Sequence, residues 1–237
     1  DYFRVTFNNF HFEIVPVLKI KKIIEAKNVT DCSIFHINWV KKHSKLSDEI
    51  RLVKQFCKSQ RVYGAETYIQ GFSGYVLEIL TVYFGSFNKF IKGFPKLKEG
   101  EMIDISKHKQ ALDKNKLSPI ILIDPVQGNR NAAAALSKEK YEKLKELCTE
   151  YAKKPSADFF TIKKTDVKEL KKKFNTIIEV KALEGKDDVI GTKILKAFEF
   201  IRDNLNKEGF IVTESFWQFE EPTYLAFNTK NSQIKEE

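Results

Sequence analysis

The sequence predicts an α+β protein in three parts, and three observations carry that prediction. The first twenty residues alternate like paired strands, residues 29 to 151 carry mainly helical periodicity, and strands and helices alternate beyond Pro155-Ser156 until a closing hairpin. In the first part, Tyr2–Phe7 and Phe10–Val17 flank an Asn8-Asn9 turn and read as a β-hairpin. A hairpin of this size is marginal in water, so it is expected to belong to a sheet whose other strands lie elsewhere, upstream of residue 1.

In the middle part, Ser47-Asp48-Glu49 supplies a cap and first-turn acids ahead of Ile50, Val53 and Cys57. Ser73 caps a second run with the apolar stripe Val76/Leu77, Leu80, Tyr83/Phe84 and Phe87. A strand pair is expected at Met102–Ile105 and Ile120–Asp124, bridged by a stretch with Lys107, Lys109, Lys114 and Lys116. A loop around Gly128 follows, then helical segments Asn131–Ala135 and Ser137–Tyr151. Pro155-Ser156 reads as the internal boundary. Beyond it the order is strand Phe159–Ile162, helix Asp166–Phe174, strand Thr176–Ala182, helix Ile190–Leu205, then strands Phe210–Phe219 and Thr223–Asn228 around Pro222. The tail Asn231–Glu237 is expected to fray.

The 237 residues suit one or two compact domains, and 42% hydrophobic with 13% aromatic content excludes disordered, collagen-like and coiled-coil classes. With 41 Lys+Arg against 32 Asp+Glu the formal charge is +9, which points to a polyanion: nucleic acid, nucleotide phosphates or an anionic membrane surface. Only five of the 41 are Arg, and a Lys bias this broad lowers the weight of net charge. A planar guanidinium kept in such a chain, as at Arg130, is the sharper clue to bidentate recognition. Three cysteines without metal spacing fit a reducing cytoplasm, and no apolar run approaches the roughly 18 residues of a membrane span. Residue 1 is Asp and the only Met is Met102, so the chain is expected to begin inside a larger gene product or at a processing boundary.

Glu13 stands in an apolar strand between Phe12 and Ile14. Pattern alone reads it as an outward-facing acid; the alternative is a metal-binding carboxylate on a rigid sheet, since Mg²⁺ takes one or two carboxylates plus substrate phosphates. His36 and Trp39 read as core packing or as a site. Lys54, one turn after Ile50, either snorkels from an apolar face or sets a point charge on a triphosphate. Tyr63-Gly64-Ala65-Glu66 and Gly71-Phe72-Ser73-Gly74-Tyr75 are small-residue turns into helices, plain turns or anion sites.

The order of these words is more specific than any one of them. Glu13-Ile14-Val15-Pro16, Phe35-His36-x-x-Trp39, Asp48-Glu49-Ile50-Arg51-Leu52-x-Lys54-x-Phe56, Tyr63-Gly64-Ala65-Glu66, Gly71-Phe72-Ser73-Gly74-Tyr75-x-x-Glu78, Tyr83-Phe84-Gly85-Ser86-Phe87, Ile123-Asp124-Pro125-Val126 and Asn129-Arg130-Asn131 through Leu136-Ser137 follow in series. The series resembles the archaeal-type, class I CCA-adding enzymes, the tRNA nucleotidyltransferases of the DNA polymerase β superfamily. A more distant likeness, in the helical middle, is to oligoadenylate synthetases. The resemblance implies that residues 1–28 are the last strands of a nucleotidyltransferase palm sheet. It makes residues 29–154 a mainly helical central, or neck, domain that binds nucleotide, and 155–237 a small α/β body domain that binds tRNA.

By position, the resemblance makes Glu13 the third catalytic and metal-binding carboxylate. His36, Lys54 and Tyr63 become contacts to ATP or CTP, with Lys54 on the triphosphate, and Arg130 helps read the incoming base. It further implies Mg²⁺ in a two-metal site and the tRNA acceptor end as partner. The reaction the resemblance implies is attack of the tRNA 3′-hydroxyl on the α-phosphate, releasing pyrophosphate.

Two departures qualify the match. The family's Gly-Ser turn followed by an Asp/Glu-x-Asp pair does not occur here, since Gly85-Ser86 has no such pair after it, and Glu13 is one methylene longer than the usual Asp. The C-terminal tail domain of the family is likewise expected to be missing after residue 237. The expectation is therefore a part or subunit that needs a second polypeptide bearing the N-terminal catalytic palm, or a homodimer. The alternatives are a catalytically inactive RNA-binding module and an oligoadenylate synthetase-like enzyme.

Overall fold

The computed structural model describes residues 3–108, 118–182 and 184–231. Helices and small sheets are mixed throughout, in keeping with the α+β expectation. The chain forms two compact units, one made of Asp1–Ala65 and Gly71–Phe160, the other of Glu66–Gln70 and Thr161–Glu237.

The first unit opens with strands β1 (Phe3–Phe7) and β2 (Phe10–Ile14), antiparallel and in register from Phe3 opposite Ile14 to Phe7 opposite Phe10. Asn8 and Asn9 close the hairpin with φ of 49° and 63°. These are left-handed values, which Asn tolerates better than most residues. Strand alternation sorts the side chains cleanly. Phe3, Val5, Phe7, Phe10, Phe12 and Ile14 lie on one face, Thr6, His11 and Glu13 on the other, and every one of them is exposed.

Helix α1 (Ser33–Lys42) carries His36 and Trp39, a segment the sequence patterns had not singled out as a helix of its own. The turn before it is held by buried Asp31, whose carboxylate accepts the Leu18, Lys27 and Asn28 amides. Helix α2 (Ser47–Ser59) buries Ile50, Val53, Phe56 and Cys57 at helical spacing. The expected second helix divides in two. Helix α3 (Gly74–Phe84) ends at Gly85, whose φ of 82° terminates it in the left-handed conformation, and α4 (Phe87–Gly93) restarts under a Ser86 cap. Phe87 therefore belongs to the next helix.

Strands β3 (Glu101–Ile103) and β4 (Ile120–Asp124) pair in parallel, as the expected strand pair. The Gly128 loop and the helical segment at Asn131–Ala135 do not form. Gln127–Asn131 is instead strand β5, antiparallel to β4. Asn131 explains the outcome, because its Oδ1 accepts the Leu122 and Ala133 amides and its Nδ2 donates to Ser118, which fastens the chain to the sheet where a helix would have begun. Lys109, Lys114 and Lys116 lie outside the described residues.

Helix α5 (Lys138–Lys153), capped by Ser137, buries Tyr141, Leu144 and Cys148. The expected strand at Phe159–Ile162 is replaced by a 3₁₀ turn, Ala157–Phe160, because both rings join an aromatic cluster with Phe56, Phe87 and Tyr151.

The second unit is a three-stranded antiparallel sheet with a helix on each face. Its elements are α6 (Val167–Lys173), β6 (Thr176–Val180), α7 (Asp187–Lys207), β7 (Phe210–Gln218) and β8 (Thr223–Asn231), with strand order β6-β8-β7. Along central β8, Tyr224 and Ala226 pack toward Leu170 and Phe174, while Leu225 and Phe227 pack toward Ile194 and Phe198 of α7. The short segment Glu66–Gln70 joins this unit through Tyr68, whose ring meets Trp217 and Phe219.

Candidate functional site

The first turn of α3 is the meeting point of two side-chain clusters. Residues 62–64 and 71–72 form a strap: the Gly64 amide donates to Phe72, the Phe72 amide to Val62, and the Gly71 amide to Gly64. Gly71 is required there, since a Cβ would sit 2.3 Å from the Val62 carbonyl oxygen. The strap delivers Tyr63 beside Gly74, the first residue of α3. A Cβ on Gly74 would lie 2.9 Å from the Tyr63 hydroxyl and 3.5 Å from the Lys54 ammonium, so the bare backbone leaves room for both groups at the helix N-terminus. Lys54 also pairs with Glu78, one turn further along α3, at 2.6 Å with both side chains about three-quarters buried or more. Lys58 lies over the Tyr63 ring at 4.8 Å. Amides at a helix start and two ammonium groups together favour an anion.

The next residue, Tyr75, belongs to the second cluster. Its hydroxyl donates to Asp124 Oδ1 at 3.0 Å, and its ring stacks on His36 with centroids 4.1 Å apart. Asp124, at the end of β4, is 0% exposed and gathers donors from three other elements and its own turn. Besides Tyr75, it accepts the Val126 amide at 3.0 Å, Arg130 Nη1 at 2.6 Å and His36 Nε2 at 3.2 Å. Burial alone would raise its pKa, yet the hydrogen bonds from His36, Val126 and Arg130 outweigh that and hold it below the ordinary value. Burial, then the Asp124 charge, pushes the Tyr75 hydroxyl well up, so it remains a donor.

His36, Lys54, Tyr63 and Arg130 are thus all found around Gly74-Tyr75, two on each side. Glu13 is placed differently, exposed on β2 and opposite Arg4 in the strand register. Among the described residues no group of three or more His, Cys, Asp and Glu is arranged to hold a metal ion. One exposed carboxylate does not make a Mg²⁺ site.

Residues 48–161 match the family model of the tRNA nucleotidyltransferase second domain, the stretch that carries Lys54, Tyr63, Tyr75, Asp124 and Arg130. Beyond that domain, most of the chain is similar to archaeal-type CCA-adding enzymes. It is 37% identical over 223 residues to the CCA-adding enzyme of Nanoarchaeum equitans, covering 90% of this chain and 55% of the relative. The enzyme of Saccharolobus shibatae is 35% identical over 217 residues, covering 90% and 51%. That of Sulfurisphaera tokodaii is 31% identical over 239 residues, covering 99% and 57%. The chain thus spans about half the length of the curated relatives it matches.

Asp124, Tyr75 and Glu78 have no role that the sequence alone makes evident. One signal for Asp124 was present. An acid closing the apolar run Ile120–Ile123 is either exposed at a strand end or buried with partners, and the Arg six residues later was available to pair with it. Nothing in the sequence separates Glu78 from an ordinary helix-surface acid.

Proposed function

We propose that this chain is the nucleotide- and tRNA-binding part of a tRNA nucleotidyltransferase that adds or repairs the 3′-terminal CCA of tRNA from CTP and ATP, without a nucleic-acid template. The observation that carries the reading is the convergence of Lys54 and Tyr63 on Gly74, and of His36 and Arg130 on Asp124, joined by Tyr75. In this reading the triphosphate takes Lys54 from Glu78 and lies at the α3 N-terminus beside Tyr63. The base lies toward His36 and Arg130. The tRNA 3′-hydroxyl attacks the α-phosphate and pyrophosphate leaves.

Residues 1–28 act as the end of the palm sheet, the rest of the first unit, through Phe160, as the neck, and the second unit as the body. The exposed face of α7 supports RNA contact by the body: Lys193, Lys196 and Phe200 recur on one side, and Phe200 is 69% exposed. A second polypeptide carrying the Gly-Ser and Asp-x-Asp segment completes the palm and, with Glu13, the Mg²⁺ site. The apolar face of β1–β2, uncovered among the described residues, supports a further layer packing there. Three cysteines, all free and buried, suit a reducing cytoplasm, and no helix among the described residues is long and apolar enough to cross a membrane.

The test is reconstitution with tRNA lacking its CCA end. The chain alone is expected to incorporate neither CTP nor ATP, and addition of the palm polypeptide to restore growth by three nucleotides. Robust incorporation by the chain alone overturns the two-polypeptide reading. A product ladder of adenylates overturns CCA addition.

A further inference from the structure

We propose that Asp124 is the positioning residue of the nucleotide site, setting Arg130 and His36 in the orientations from which they meet the base. The proposal rests on the reading of those two residues as nucleotide contacts. Asp124 is fully buried, so it acts through its neighbours and not on a ligand. A carboxylate offers about four acceptor positions, and four are used: Oδ1 by Tyr75 and Val126, Oδ2 by Arg130 and His36. The three side-chain donors come from α1, α3 and β5, segments distant in sequence that this one group brings to a common point.

Each donor is constrained in a way that matters for recognition. Arg130 gives one corner of a rigid five-donor fork to Asp124, which fixes the plane of the rest, and its side chain remains 26% exposed. An ionised carboxylate has no proton to offer, so the bond to His36 places a proton on Nε2 and fixes which ring nitrogen faces Asp124. Stacking on Tyr75, itself bonded to the same carboxylate, stops the imidazole from turning. The Lys54, Tyr63 and Gly74 group shares none of these four bonds. Loss of Asp124 is thus expected to disturb base contact and spare triphosphate contact.

Isothermal titration of the 237-residue chain with CTP, ATP and inorganic tripolyphosphate tests this. Asp124→Asn keeps the size and removes the charge. It is expected to weaken CTP and ATP binding about tenfold while tripolyphosphate binding changes less than twofold. In an Arg130→Ala background the same substitution is expected to add less than twofold, because the route through Arg130 is already lost. Tyr75→Phe, which removes one donor and leaves the charge, is expected to reproduce the pattern at two- to threefold and serves if Asp124→Asn does not fold. Equal weakening of all three ligands, or full additivity with Arg130→Ala, overturns the proposal in favour of a structural role. Tripolyphosphate binding with no preference for CTP or ATP in the wild-type chain overturns it too, while leaving the phosphate half of the site standing. A wild-type chain that binds none of the three removes the nucleotide reading itself.

Discussion

Two antiparallel sheets in this chain follow the same side-chain alternation and meet opposite fates. In β6-β8-β7 both faces are covered, Tyr224 and Ala226 under α6, Leu225 and Phe227 under α7, and these residues of β8 are buried. In β1–β2 one face is just as apolar, yet Phe3 is 67% and Phe10 68% exposed. Burial of a large apolar side chain is worth about 1.5–3 kcal/mol, so six such residues left in water mark a surface made for another layer. The difference teaches that strand pattern specifies a face but not what covers it. The second unit supplies its own cover, and the hairpin has none among the described residues.

The contrast can be broken by substitution. The largest expected effect is in the covered sheet: Phe227→Ala should lower unfolding free energy by about 3–5 kcal/mol in urea titrations. Phe12→Ala in the hairpin should cost under about 1 kcal/mol; a loss as large as that of Phe227→Ala would show that the hairpin face is covered within the chain.

Asp124→Asn comes next, at about 3 kcal/mol, because it leaves the Arg130 charge and the Tyr75 hydroxyl poorly matched. The same residue sets an acid dependence. Its folded pKa is depressed, so its stabilisation is present above the unfolded value of about 3.9 and is lost as pH falls through the folded value. Stability followed between about pH 5 and 2 should therefore drop less steeply in Asp124→Asn than in the wild type.

Gly191→Ala sharpens the picture of the covered sheet at about 1–2 kcal/mol, since its Cβ would come within 2.8 Å of the Tyr68 ring. The smallest effect on stability belongs to Phe3→Ser with Phe10→Ser, within about 0.5 kcal/mol for such exposed positions, with reduced binding of an apolar dye. The same double variant should nevertheless abolish restoration of activity by a palm polypeptide. Unchanged restoration would mean that this face is not the docking surface.

Much of the fold was legible because it is local. The cap at Ser73, the stripe Ile50, Val53, Cys57, and the strand segments of β6, β7 and β8 are determined by residues within a few positions of one another. The ordered words that named the family were also legible, and with them His36, Lys54, Tyr63 and Arg130 as candidates. Other features depended on partners far along the chain. Strand β5 exists because Asn131 reaches back to Leu122, and Phe159 and Phe160 leave strand geometry because Phe56 and Tyr151 offer them a core. Asp124 reads as a strand-end acid until α1 and α3 bring His36 and Tyr75 to it from residues 88 and 49 positions away. A hydrogen-bonded hub among such distant segments has no short-range signature, because its energy comes from desolvating one charge among donors that only the folded chain assembles. The sequence by itself determined which strands are amphipathic; the tertiary structure decided which of their faces are buried, since burial requires a second layer to arrive.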